Sequence, residues 1–135
     1  MQTIAWQQEY SVGVQELDEQ HRGLLSIINT VITEQQESYR AAQFSAALGS
    51  LIHYAYTHFA TEERYLIAAH FPDLEKHILQ HIDFIIKTLG LALRVGDGDD
   101  AVRLELLAYL KEWYSSHVLG IDRAYIPYVA ANRKA

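Results

Sequence analysis

Four long stretches of the chain place apolar residues at three- and four-residue steps, the spacing of an amphipathic α-helix. Short connections between long helices imply that neighbours run antiparallel. The predicted bounds are Asp18 (as N-cap) to about Glu37, about Ala41 to Ala69, Pro72 (in the first turn) to beyond Leu91, and the turn at residues 96–100 to His117. We therefore predict an all-α fold, an up-down-up-down four-helix bundle.

The two ends of the chain do not follow this period. Residues 1–17 carry Trp6 and Gly13 among alternating apolar residues, which favours an extended N-terminal arm laid over the bundle. The stretch after Gly120 is short and predicts a C-terminal helical tail of one or two turns. We expect residues 1–135 to form a single domain.

Composition limits the kinds of metal site and nucleophile that the chain can form, because it has seven histidines and no cysteine. Thiolate zinc sites, iron–sulfur clusters and thiol nucleophiles are thereby excluded, and any metal must be held by nitrogen and oxygen. The net charge is −6 and the basic residues are scattered, which argues against nucleic acid or an anionic membrane as a partner. No stretch has the length of a membrane span or the pattern of a leader, so we expect a cytoplasmic protein.

Histidines fall on the apolar stripe of each predicted helix. An unpaired polar group in a dry core costs a few kcal/mol, so these side chains need partners. His58 and Glu62, like His77 and His81, are four residues apart, which places each pair on one helix face with Cβ atoms roughly 6 Å apart. Any one such histidine is more often a structural residue than a ligand.

The predicted topology brings these residues together. In an up-down-up-down bundle, the start of an odd helix and the end of an even helix lie at the same end. A widened or broken turn at Gly120 would add a carboxylate from the tail. The predicted set is His21, His58, Glu62, His77, His81, His117 and Asp122.

The donor set indicates two metal ions. Five imidazoles and two carboxylates are too many for one ion and too rich in nitrogen for magnesium or calcium, so two transition metals are indicated. In two roughly six-coordinate ions, these donors and a bridging oxo or hydroxo group leave about one position open. That position suits a small diatomic ligand, although the donor count leaves the metal unidentified.

The order of these motifs along nearly the whole chain resembles the hemerythrins. The residues that carry the resemblance are Trp6, Tyr10-Ser11-Val12-Gly13-Val14, Leu17-Asp18-x-Gln20-His21, His58-Phe59-x-x-Glu62-Glu63, Phe71-Pro72, His77-x-x-x-His81 and Trp113-x-x-x-His117 with Asp122. The resemblance implies a non-haem di-iron centre that binds oxygen reversibly. It also implies a ligand set: His77, His81 and His117 on one iron, His21 and His58 on the other, and Glu62 and Asp122 bridging.

One position departs from the family pattern. Three residues before the last ligand histidine, the hemerythrins usually carry an apolar residue that faces bound oxygen, and here it is Tyr114. We expect this phenol in the oxygen pocket, where it could donate a hydrogen bond, fill space or coordinate ferric iron. In the alternative, its hydroxyl points to water and the ring merely packs.

Three other polar residues are expected outside the ligand set. His53 is rotated away from the ligand face, and His70 sits at a helix end where a cation suits the helix dipole. Glu63 faces about 100° away from Glu62, which favours a solvated or supporting role.

Oxygen storage, or delivery to an oxygen-consuming enzyme, is the function we predict, in a monomer and without catalysis. Sensing is favoured less because no output domain is attached. A di-iron oxidase or peroxidase ranks second, because the sequence has no Glu-x-x-His repeat and the site is rich in histidine. Tyr114 favours this alternative somewhat, since a phenol beside bound peroxide could supply a proton or an electron. A metal-dependent hydrolase is disfavoured because the sequence has no His-Asp dipeptide that would supply adjacent ligands. A purely structural metal site would leave the open coordination position unexplained.

Overall fold

A computed structural model of the protein describes residues 2–37, 41–96 and 100–134. The helices are α1 (Gln15–Glu37), α2 (Ala41–Ala68), α3 (Leu74–Gly96), α4 (Asp100–Trp113) and α5 (Ile126–Lys134). Consecutive helices from α1 to α4 pack against each other, and α1 also contacts α4, which closes the bundle. These described ranges contain no strand, and the predicted all-α four-helix bundle is confirmed. Residues 97–99 of the predicted turn lie outside the described residues.

Two predicted helix starts are wrong. α1 begins at Gln15, so Asp18 lies in its first turn and is not the N-cap. Its carboxylate instead accepts hydrogen bonds from the Ser11 hydroxyl and, at 2.8 Å, from the Val12 amide. An acidic side chain is favourable anywhere in a first helical turn, so composition alone could not fix the start.

The start of α3 is also displaced. The helix begins at Leu74, two residues after Pro72, which lies in the connecting turn. The Leu74 amide bonds back to the Phe71 carbonyl at 3.2 Å, which closes the turn before the helix begins. Proline suits this turn as well as a first helical position, since both need its fixed φ.

The N-terminal arm is confirmed for residues 2–14, which contain only one short 3₁₀ turn at Gln8–Tyr10. For residues 15–17 the prediction is wrong, because they form the start of α1. It is held on α1 by a reciprocal pair of hydrogen bonds: the Ile4 amide donates to Asn29 at 2.9 Å, and Asn29 donates to the Ile4 carbonyl at 2.7 Å. Trp6 packs against the core beneath the Arg22 guanidinium, 5.0 Å from the ring centre. The arm therefore covers one side of the bundle.

The chain is irregular after α4, where a widened turn is needed to bring Asp122 toward the histidines. After Trp113 the chain makes one π-helical turn, Tyr114–Val118, and then a 3₁₀ turn, Ile121–Tyr125, before α5. Gly120 joins the two turns, and a Cβ there would lie 2.5 Å from the Ser116 carbonyl oxygen. The widened turn predicted near Gly120 is therefore present, and it turns Asp122 into the interior, where it is fully buried.

Two apolar clusters flank a buried polar layer. The larger fills the bundle between the four helices and includes Phe59. The smaller lies beneath the arm and the tail and includes Phe71 and Tyr125. His81 stacks on Phe59, whereas His77 contacts Phe71, so the polar residues lie between the clusters. No helix among the described residues is long and apolar enough to cross a membrane.

Candidate metal centre

The seven side chains predicted to converge do so in one buried cluster. They come from α1, α2, α3, the π turn and the following 3₁₀ turn, and each exposes 3% or less of its surface. The cluster consists of His21, His58, Glu62, His77, His81, His117 and Asp122.

Glu62 lies at the centre and divides the histidines into two groups. Its Oε2 lies 3.2 Å from His21 Nε2 and 3.3 Å from His58 Nε2. Its Oε1 lies 2.7 Å from His77 Nε2 and 3.1 Å from His81 Nε2. Each oxygen of one carboxylate therefore faces a different pair of imidazoles, which is the arrangement of a bridging carboxylate.

Asp122 repeats this arrangement. Its Oδ2 lies 3.4 Å from His21 Nε2, while its Oδ1 lies 3.3 Å from His77 Nε2 and 3.1 Å from His117 Nε2. The two carboxylates thus define the same division: a two-histidine group (His21, His58) and a three-histidine group (His77, His81, His117).

The electrostatics of the cluster follow from burying acids beside bases. Burial alone would lower the pKa of His21 and His77, but the Asp122 and Glu62 carboxylates raise each to about 9. Burial would raise the pKa of Glu62, yet the close imidazoles of the neighbouring histidines, His21 first among them, hold it well below its usual value. For His58 burial prevails and lowers the pKa. At neutral pH the carboxylates are therefore ionised and share protons with some imidazoles.

Several polar atoms in the cluster make no hydrogen bond despite their burial. They are Nδ1 of His21, Nε2 of His81, Nε2 of His117 and both carboxylate oxygens of Asp122. Such groups are costly unless something else satisfies them. Ligand atoms of His21, His58 and Glu62 lie within 4.8 Å of one another, as do those of Glu62 with the three-histidine group. Imidazole and carboxylate donors gathered in this way fit two transition-metal ions.

Two residues hold the imidazole rings from outside. The Nδ1 of His58 donates to the Gln20 side-chain oxygen at 2.7 Å, and the Nδ1 of His81 donates to the Glu63 carboxylate at 2.7 Å. Because both acceptors fix the proton on Nδ1, each ring presents an unprotonated Nε2 to the centre. Glu63 has the supporting role expected for it. Gln20 was not assigned a role, although its place beside His21 could have suggested one.

Tyr125 makes a contact with the cluster that the sequence pattern did not indicate. Its hydroxyl donates to Glu62 Oε2 at 3.0 Å, within the buried core. Burial raises the pKa of Tyr125 well above its usual value, and the neighbouring carboxylates raise it further. The phenol therefore stays protonated and holds the Glu62 carboxylate from the tail. The bond joins residues 63 positions apart, which no local periodicity reveals.

Tyr114 is fully buried at the start of the π turn. Its hydroxyl donates to the main-chain carbonyl of His21 at 3.0 Å, so the alternative in which it points to water is wrong. Burial raises the pKa of the phenol above its usual value, with a further contribution from Asp122. The ring thus fills space beside the cluster and commits its proton to the backbone of α1.

Aromatic rings pack against the three-histidine group. Phe59 stacks on His81 with ring centres 3.9 Å apart and planes 6° apart. Trp113 stacks on His117 at 4.7 Å and 10°. These contacts fix ring orientation and exclude water from that side.

The two histidines expected outside the cluster lie on the surface. His53 is exposed on α2. His70 is exposed after the end of α2, where its φ of 53° makes it the left-handed residue that ends the helix. Neither contributes to the cluster.

The fold and the site together define a four-helix-bundle protein with a buried histidine–carboxylate cluster. The family model described as hemerythrin HHE cation binding domain matches residues 12–129. The chain belongs to the hemerythrin family.

Bacteriohemerythrins and a hemerythrin-like protein match this chain over most of their length. A bacteriohemerythrin of Stenotrophomonas maltophilia (strain R551-3) is 30% identical over 132 residues, which cover 98% of this chain and 85% of that protein. One from Clostridium acetobutylicum is 29% identical over 127 residues, 91% and 98% of the two chains. A hemerythrin-like protein of Naegleria gruberi is 29% identical over 120 residues, 89% and 88%.

Solved structures share the fold. The crystal structure of a leucine-to-tyrosine mutant of hemerythrin superposes with a TM-score of 0.85 at 21% identity, over 96% of this chain and 99% of that one. A leucine-to-alanine mutant gives the same values.

Proposed function

We propose that the chain binds two iron ions and uses them to bind O₂ reversibly, for storage or for delivery to an oxygen-consuming enzyme. The observation that carries this proposal is the pair of carboxylates, each with one oxygen toward each histidine group. In this assignment Glu62 and Asp122 bridge the ions. The terminal ligands are His77, His81 and His117 on one ion and His21 and His58 on the other.

Two ferrous ions held there would together supply the electrons that bind O₂ and recover them on release. The protein's own residues create the conditions for reversibility. The cluster is buried, and the stacked rings of Phe59 and Trp113 separate its three-histidine side from water. Gln20 and Glu63 hold two of the imidazoles at fixed orientation. The group with fewer histidines, His21 and His58, is the one we assign to the ion with the open position.

We assign Tyr114 to the oxygen pocket as a residue that fills it. Its position in the turn that carries His117, its full burial and its bond to the His21 backbone support this role. A phenol whose proton is already donated to a carbonyl is poorly placed to protonate a second acceptor. This favours binding over turnover, so we propose a carrier and not an oxidase.

Metal analysis with the visible spectrum tests the assignment. The protein, loaded anaerobically with ferrous iron, should hold two irons per chain. Its spectrum should gain charge-transfer bands on exposure to oxygen. One iron per chain, or a spectrum that oxygen leaves unchanged, would contradict the proposal.

A further inference from the structure

The outer face of α3 is apolar, although it faces away from the core. Five of its side chains expose between 44% and 70% of their surface: Leu79, Ile82, Ile86, Leu89 and Leu93. On the neighbouring α2, Tyr56 is 68% exposed and Ile52 is half-buried. Between the two helices lies a groove of about 290 Å³, lined in part by Tyr56, Ile82 and Ile86. We call these seven residues the α3 patch.

The spacing along α3 is that of a helix-pairing seam. From Leu79 to Leu93 the exposed apolar residues recur at steps of three, four, three and four, the a/d pattern of a coiled coil. A single exposed leucine requires no explanation, but a sustained heptad stripe on a surface helix calls for a partner helix. The inner face of α3 already packs in its own bundle through His77, His81 and Phe84, so the stripe is a second face.

We propose that the α3 patch is the interface of a symmetric dimer, in which α3 packs antiparallel against α3 of a second copy of this chain. The stripe is close to symmetric about Ile86, with Leu79 and Leu93 seven residues to either side. A twofold axis at Ile86 therefore places Leu79 of one copy against Leu93 of the other, and Ile82 near Leu89. A surface that matches itself under a twofold axis is what an isologous dimer requires. This proposal differs from the monomer expected from the sequence. It rests on the surface of α3 and not on metal binding, although the groove beside the patch reaches Glu63 and His81.

The size of the patch suits such a pairing. Its exposed side chains present on the order of 600 Å² of mainly apolar surface, at the upper end of the largest patch usual on a monomer. A standard interface buries about 800 Å² on each partner. The patch alone is somewhat smaller than that, so polar residues at its rim would complete the interface.

Charges beside the stripe select the antiparallel orientation. Asp83 precedes Ile86 and Lys87 follows it, and both are exposed. They lie on the side toward α4, where the Lys87 ammonium is 4.9 Å from the centre of the Tyr109 ring. In the antiparallel pair, the flank with Asp83 and Lys87 meets the same flank of the other copy, so each carboxylate lies near the partner's ammonium. In a parallel pair these two flanks would lie on opposite sides of the seam, and the charges would not meet. A membrane surface is a poorer occupant, since the chain carries a net charge of −6 and Asp83 flanks the stripe.

Sedimentation velocity on the purified full chain, from about 1 to 100 µM, tests the proposal. We expect a concentration-dependent dimer. Ile86→Glu places two carboxylates at the twofold axis and should weaken dimerisation by about 30-fold or more, since like charges in contact are strongly repelled. Ile86 is 63% exposed, so the variant should keep its helical circular dichroism.

The matched control is Leu104→Glu, which changes an equally apolar, 53% exposed residue on α4 outside the patch and should leave the dimer intact. Asp83→Lys should weaken the dimer, and adding Lys87→Asp should restore it. A chain that stays monomeric across the whole range would overturn the proposal. So would an Ile86→Glu variant that dimerises like the parent, or a monomer that co-sediments with phosphatidylcholine–phosphatidylglycerol vesicles.

Discussion

The two histidine groups of the centre differ both in number and in what holds them. The three-histidine group (His77, His81, His117) lies against Phe59 and Trp113, and one of its imidazoles donates to the Glu63 carboxylate. The two-histidine group has Gln20 behind His58, a neutral amide. A carboxylate behind an imidazole makes it a stronger donor than an amide does. Under the proposed assignment, the three-histidine group would hold the saturated, electron-rich ion, and the two-histidine group would hold the ion with the open position.

The largest effect should come from removing the carboxylate that joins the two groups. We expect Glu62→Gln to lose both ions, because the charge that both imidazole groups face disappears. Glu63→Gln is the neighbouring control, and it should still bind two irons per chain. Elemental analysis after anaerobic loading compares the number of irons per chain in the two variants. Retention of two irons in Glu62→Gln would refute a bridging role.

Removing one imidazole should separate the two groups. We expect His77→Ala to lose iron from the three-histidine side while the other side keeps part of its metal. His53→Ala, on the exposed face of α2, should match the parent. Iron content measured by elemental analysis tests this, and the same iron content in both variants would overturn the division.

The affinity for metal should depend on pH, because one histidine in each of the two groups has a raised pKa. In the metal-free protein the pKa values of His21 and His77 lie at about 9, above their usual 6.5. Since ions bind neutral imidazole, affinity should rise with pH up to about 9 and then level off. Proton release on titration with ferrous iron at several pH values measures this, and an affinity independent of pH between 6.5 and 9 would contradict it.

The same shifts make a prediction about stability. The bonds made by protonated His21 and His77 contribute fully below pH 6.5 and are lost as pH rises through about 9. The metal-free protein should therefore lose a few kcal/mol of stability over that interval, while the iron-loaded protein should not. Urea unfolding of both forms at pH 6 and 9.5 tests the difference.

The smallest effect should come from the Tyr114 hydroxyl. Tyr114→Phe removes its bond to the His21 carbonyl and should cost about 1 kcal/mol, with little change in oxygen affinity. Tyr114→Leu also removes ring volume, which under our proposal would lie in the oxygen pocket, so it should slow autoxidation or raise oxygen affinity. Oxygen kinetics that are the same in the parent and in Tyr114→Leu would show that the ring does not reach the pocket.

The sequence predicted the bundle and the convergence of the seven side chains because both rest on local spacing. Pairs four residues apart share a helix face, and alternating helices bring those faces to one end. The prediction of Asp122 as a member of the cluster depended on an irregular turn, which Gly120 in the sequence indicated. The roles of Gln20 and Tyr125 were not predictable in this way, since their hydrogen bonds join residues 38 and 63 positions apart. Helix starts at Asp18 and Pro72 were misplaced because both residue types are equally at home in the adjoining turn.

Oxygen uptake by the ferrous protein tests the central claim most directly. Manometric or optical titration of the anaerobically loaded chain should give one O₂ for every two irons, with the bound oxygen released under vacuum and the ferrous protein recovered. Rapid conversion to a ferric form with no releasable oxygen, or one O₂ for each single iron, would contradict reversible binding at a shared di-iron centre.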